Sequence, residues 1–110
     1  MPHDIKESDW KALRQLHAIA LERFSHRIID EINAVASVTD RSAHARYLDV
    51  YALIHKRDRE MADAFNDMRR SRALQRLVAI HSLDLLTEEE LERLSPEMRK
   101  SLQALREIFD

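Results

Sequence analysis

Residues 8–38 read SDWKALRQLHAIALERFSHRIIDEINAVASV, and the spacing of their apolar side chains decides the fold. Trp10, Leu13, Leu16, Ala20, Phe24, Ile28, Ile32 and Val35 follow one another at steps of three and four. That interval returns side chains to one face of an α-helix. Ser8 or Asp9 is placed to cap this helix by accepting from its free backbone N–H groups. The pattern lasts to Val38, so the predicted helix over 8–38 is about 45 Å long.

Outward from it, Ser37-Val38-Thr39-Asp40-Arg41-Ser42 gathers cap and turn residues. It predicts a short connection, with Asp40 or Ser42 at the head of a second helix. From Ala43 to Leu83 there is no glycine or proline. A continuous helix over 42–83 would span about 60 Å, whereas a compact domain of this size has a radius of gyration of about 13 Å. The expectation is a long helix whose far end packs on another chain; the alternative is a break near Asn66-Asp67 or Arg70-Ser71. Thr87-Glu88-Glu89-Glu90 reads as a capping box opening a short helix. Ser95-Pro96 restarts the chain as cap and first helical position, and Met98, Leu102, Leu105 and Phe109 share a face of the last helix. Residues 1–7 read as a loose leader.

Composition agrees with helix throughout. The 110 residues contain no glycine, two prolines and no cysteine, where about one residue in fourteen is ordinarily glycine. Tight hairpin turns in sheets draw on glycine, while Ala, Leu, Arg, Glu and Lys lose least on entering a helix. The expected fold is all-α and one domain over 1–110: an antiparallel hairpin of two long helices plus two short C-terminal helices. Absence of cysteine, of a basic-then-apolar start and of a membrane-length apolar run leads to the expectation of a cytoplasmic protein. Formal net charge is −2, with +4 over residues 41–76 and −4 over 77–110, so no strong overall field draws nucleic acid or anionic membrane.

Four groups of residues are candidates for function. The stripe Tyr47, Tyr51, Ile54, Met61, Phe65 and Met68 reads as the core of the hairpin, or as an adaptable interface of the kind methionine suits. Within its rhythm Asp58 takes an inward position. If residues whose numbers sum to about 79 face each other across the hairpin, Arg57 meets Glu22 with His26 nearby. Glu22, His26, Arg57 and Asp58 then form a polar cluster, read first as a salt-bridge network that fixes register. A metal is weighed through the spacings Glu22/His26/Asp30, His55/Asp58 and His81/Asp84, but neither Glu-x-x-His nor His-Glu-x-x-His occurs, and no metal or cofactor is expected. Arg69, Arg70, Arg72 and Arg76 make a basic strip suited to phosphate. It falls short of the six to ten phosphate contacts of strong binders and reads better as a solvated face, or as a dock for the acidic Glu88–Glu92 segment. Without cysteine or glycine there is no nucleophile elbow or phosphate loop, so no enzyme is expected. The acidic Glu88, Glu89, Glu90 and Glu92 also argue against a DNA-reading pair of helices over 87–110.

Asp9-Trp10-Lys11, Arg57-Asp58-Arg59-Glu60, Ala64-Phe65-Asn66-Asp67-Met68-Arg69-Arg70-Ser71 and Leu85-Leu86-Thr87-Glu88-Glu89-Glu90-Leu91 together resemble small uncharacterised bacterial helical proteins. The resemblance covers nearly the whole chain and carries no site residue or ligand. The sequence thus leads to a non-enzymatic interaction module, expected to form a homodimer through the second helix. Another protein partner is left open, and no membrane is expected. The alternatives are nucleic-acid or polyanion binding through Arg69–Arg76 and a metal or small-ligand site between the long helices.

Overall fold

The first helix, α1 (Glu7–Ala36), runs 30 residues without a break, and α2 (Ala43–Phe65) returns beside it for 23. A 3-10 turn at Arg70–Arg72 leads into α3 (Ala73–Ser82), followed by the single-turn α4 (Glu88–Leu91) and by α5 (Pro96–Phe109). This computed structural model describes residues 5–109, and among the described residues there is no strand. The all-α hairpin with shorter C-terminal helices is the architecture that the periodicity predicts.

Several local expectations hold in atomic detail. The Ser42 side chain accepts from the Ala45 N–H at 3.0 Å and caps α2. Thr87 Oγ1 accepts from the Glu90 N–H at 3.1 Å, while Glu90 Oε1 accepts from the Thr87 N–H at 2.9 Å, completing the capping box. Ser95 Oγ accepts from the Met98 N–H at 3.2 Å.

Other expectations are corrected. Residues 42–83 are not one helix but break at Asn66-Asp67, the first of the two places the sequence offers: α2 ends at Asn66, which is extended, and Asp67 stands at φ 58°. Asp and Asn tolerate the left-handed region because their short polar side chains bond locally. Asp84 does the same at φ 59° after α3, so aspartate makes sharp turns in a chain without glycine. The start of α1 differs too. Its cap position is Lys6, whose side chain makes no capping bond. Asp9 lies inside the helix and is buried, its carboxylate accepting from the Ser95 N–H at 2.7 Å and the Ser95 hydroxyl at 2.6 Å. The carboxylate offered as a cap for α1 therefore anchors the head of α5. Of the expected loose leader, residues 1–4 lie outside the described residues. Residues 5–7 are tied down: Ile5 packs on the core, Lys6 pairs with Glu97 at 2.6 Å, and Glu7 pairs with Arg70 at 2.8 Å. In α5, Met98 and Leu102 are buried and Leu105 is half-buried. The Phe109 side chain lies outside the described residues.

The core gathers at one end of the hairpin. Leu13, Leu16, Ala20 and Phe24 from α1 meet Ala64 and Phe65 at the end of α2, together with Leu77, Ile80, Leu91, Leu94, Met98 and Leu102. Phe24 stacks on Phe65 at 6.0 Å between centroids, and His17 meets the same ring edge-on at 5.2 Å. His17 Nε2 also donates to the Phe65 carbonyl at 3.2 Å, closing the C-terminal end of α2. No residue between Phe24 and Ala64 is buried. The rest of the hairpin projects as a two-helix arm, and the molecule measures 56 × 24 × 23 Å with a radius of gyration of 16.9 Å. A compact chain of this length would give about 13 Å.

Candidate interaction surface

The arm is assembled by polar clamps on its inner and outer edges. Arg57 reaches across to Glu31 with two hydrogen bonds, at 2.9 and 2.7 Å, and along its own helix to Glu60 at 2.6 Å. Those carboxylates raise the Arg57 pKa, and Arg57 in turn holds Glu31 below its ordinary value against the opposing effect of burial. Near the tip, Arg46 donates to the Ala36 carbonyl at 2.7 Å, and Arg41 pairs with Asp49 at 2.7 Å. These contacts fix which side of α2 faces α1. Asp49, Leu53, Arg57 and Glu60, spaced four, four and three apart, are the half-buried row.

The row Tyr47, Tyr51, Ile54 and Asp58 is turned about a third of a circle away from that face. Tyr47 and Tyr51 are each 63% exposed and Ile54 is 47% exposed. Asp58 is exposed, not inward. The stripe read as one core thus divides: Phe65 is buried, Met61 and Met68 are half-buried, and the three residues nearer the tip face outward. On α1, Ala36, Ile32, Ile29, Ser25 and Leu21 step back at four, three, four and four, which keeps them on one row. Ala36 lines a shallow depression with Tyr47 and Val50, so the two rows meet along one flank of the arm. The opposite flank is covered at its base by α3, where Glu60, Asp63 and Ala64 adjoin Ala79, Ser82 and Leu83. Among the described residues eight large hydrophobic side chains are exposed, and seven of them fall between Leu21 and Ile54.

The expected polar cluster does not assemble. Arg57 engages Glu31 and Glu60 in place of Glu22, which is exposed; His26 pairs with Asp30 at 3.3 Å on the surface. Arg57 sits level with Glu31, nine residues along α1 from Glu22. Phase around α2 and the reach of the arginine side chain decide the partners instead. Among the described residues no three His, Asp or Glu side chains converge as a metal-binding group.

The basic strip is distributed over a turn instead of lining one helix. Arg69 and Arg72 both approach Asp67, Arg70 binds Glu7 and the Ile5 carbonyl, and Arg76 donates to the Asp63 carbonyl. None of these bonds is to the Glu88–Glu92 segment. Glu90 is held by Arg23 from α1, with hydrogen bonds of 2.6 and 2.8 Å. The Arg23 bonds, helped by the Thr87 N–H and opposed by burial, bring the Glu90 pKa from its usual 4.5 down to about 2. Arg23 also binds the Leu85 carbonyl, and Arg27, one turn on, binds those of Leu83 and Asp84 at 2.8 and 3.1 Å. Two arginines of α1 thereby fasten the α3–α4 connection. Sequence reading did not single them out, since their acceptors are mostly backbone carbonyls far along the chain. It also passed over Leu48 and Ile29. A signal for these existed: apolar residues on more than one side of a helix call for more than one neighbour.

Comparison with protein-family models, with curated proteins and with solved structures finds no match. Among the described residues no helix is long and apolar enough to cross a membrane.

Proposed function

We propose that this chain is a non-enzymatic helical interaction module that pairs with a second copy of itself through the apolar flank of its arm. The supporting observation is the exposed row of Tyr47, Tyr51 and Ile54, with Ile29 exposed on α1, on a projecting pair of helices. Two helices make one layer, and a single layer leaves each helix short of neighbours. Laying a second arm on the first gives a four-helix bundle, the arrangement that covers such a flank. An overlap of about 25 Å by the roughly 20 Å width of two helices is about 500 Å² in projection. Side-chain relief brings that toward the roughly 800 Å² per partner of a standard interface. Tyrosine is also among the residues enriched at the centres of interfaces. A cytoplasmic setting suits a chain with no cysteine.

The polyanion reading has less support, because the four arginines it needs are each engaged by carboxylates or carbonyls of the same chain. Light scattering after size exclusion, from about 1 to 100 µM, tests the self-association. The expected result is a dimer mass that Tyr51→Glu converts to a monomer with unchanged helical circular dichroism. A monomer across that range would sink the proposal and turn the search to a different protein covering the same flank.

A further inference from the structure

The base carries another open surface, apart from the tyrosine row of the arm. It is a cleft of about 170 Å³ between α4 and α5, with His81 of α3 on its wall. Arg99, Leu102 and Arg106 step along α5 at three and four, while Glu88, Leu91 and Glu92 lie within a turn of one another along α4 and its C-cap. Such spacings keep each trio on one side of its element, and both trios line the cleft. Helix α1 fixes both walls: Arg23 grips Glu90, and Asp9 bonds Ser95 at the head of α5.

Arg99 differs from the other half-buried arginines that share its setting. In Arg46, Arg70, Arg76 and Arg99 the Nε atom is shut from solvent without a partner. A terminal nitrogen of each of the first three donates to a backbone carbonyl. Arg99 makes no hydrogen bond or ion pair with any described residue, and neither do the carboxylates of Glu88 and Glu92. A buried donor without an acceptor is costly, and such a group calls for a partner from outside the chain. The balance of charge sets the class of that partner. Two arginines and two glutamates line the same space. An anion alone would meet Glu88 and Glu92, and a cation alone would meet Arg99 and Arg106. A molecule that carries both signs avoids either repulsion. We infer that the cleft binds a free α-amino acid, with its carboxylate on the planar fork of Arg99 and its ammonium group on Glu88 and Glu92. Leu91 and Leu102 give it an apolar floor. Size agrees, because the cleft matches about six waters at roughly 30 Å³ each and falls below the roughly 300–1,000 Å³ of drug-sized sites. The site is independent of the arm and of its self-association.

Backbone amide NMR of the isotope-labelled full chain, titrated with L-alanine and with L-glutamine, tests the site. At least one of them should give saturable shifts centred on α4 and on Arg99, half-complete below about 5 mM. N-acetyl-L-alanine and L-alaninamide each keep one of the two charges, and each should bind at least about tenfold more weakly than L-alanine. Arg99→Ala and Glu92→Gln should each raise the half-point about tenfold with helical circular dichroism unchanged. Should Arg99→Ala lose helix, Arg99→Lys keeps the charge without the fork and should still weaken binding. No saturable shift with either amino acid up to about 50 mM, or shifts centred on other elements, would overturn the site. Equal binding of N-acetyl-L-alanine, or wild-type binding by the Arg99 variants, would overturn the assignment of an amino acid held by its two charges.

Discussion

The base and the arm of this molecule are built from the same two helices, yet they have opposite interiors. At the base, Leu13, Leu16 and Phe24 are almost wholly shut from solvent; in the arm their successors in the same pattern, Ile28, Ile32 and Val35, are only half-buried. Apolar content does not separate them, because the three–four pattern of α1 runs through both. Neighbours do: α3 and α5 stack against the base, and the arm has only its own partner helix. Burial is set by the number of layers, and hydrophobic periodicity identifies a face without saying what covers it.

Substitutions on the two sides of this boundary sharpen the contrast. Phe24→Ala should lower the unfolding free energy by about 3–5 kcal/mol in chemical denaturation, through lost burial and a cavity. A loss under about 1 kcal/mol would mean the base is not the stability centre. Glu90→Gln should cost about 2 kcal/mol, since it removes the charged bidentate partner of Arg23 while leaving an acceptor for the capping box. Wild type is also expected to weaken in acid. The Glu90 carboxyl titrates near 2 when folded against a usual 4.5, so its contribution is complete above about pH 4.5 and falls away as pH drops toward 2. Denaturation midpoints measured through that window should converge for wild type and Glu90→Gln; parallel curves would remove Glu90 from the account. In the arm, Ser42→Ala should cost about 1 kcal/mol by uncapping α2. The smallest effect is expected at Ile29→Ala, within about 0.5 kcal/mol at low micromolar concentration. A cost there equal to that of Phe24→Ala would erase the distinction between the two regions.

Much of the architecture was legible because its signals are local. The length of α1, the Ser42 cap and the Thr87–Glu90 box each depend on residues within one turn of one another. The break after Phe65 was less so, as Asp67 does work usually assigned to glycine. Asp9 shows the limit: its type and position suit a cap for α1, and only the arrival of Ser95, 86 residues away, gives it a different role. The candidate surface was half legible. Tyr47, Tyr51 and Ile54 stood out by spacing, but spacing cannot say whether a row turns toward α1 or away from it. Arg57, bonded to Glu31 and Glu60, sets that rotation.

The placement of the core also bears on the order in which a growing chain can fold. The hairpin is complete once residue 65 has been made, but the inner face of its base waits for Leu77, Leu91 and Leu102. At roughly 5–20 residues per second, Leu16, Ala20 and Phe24 stay open for seconds after the arm has closed. α4 is one turn long and has no helical stability of its own, so its capping box and the Glu90–Arg23 bond must close together, late in synthesis. During that interval the nascent molecule bears two sticky surfaces, of which the finished one keeps only the arm's. A cell that makes this protein quickly on closely spaced ribosomes would therefore expose neighbouring copies to each other at the base before its covering helices arrive.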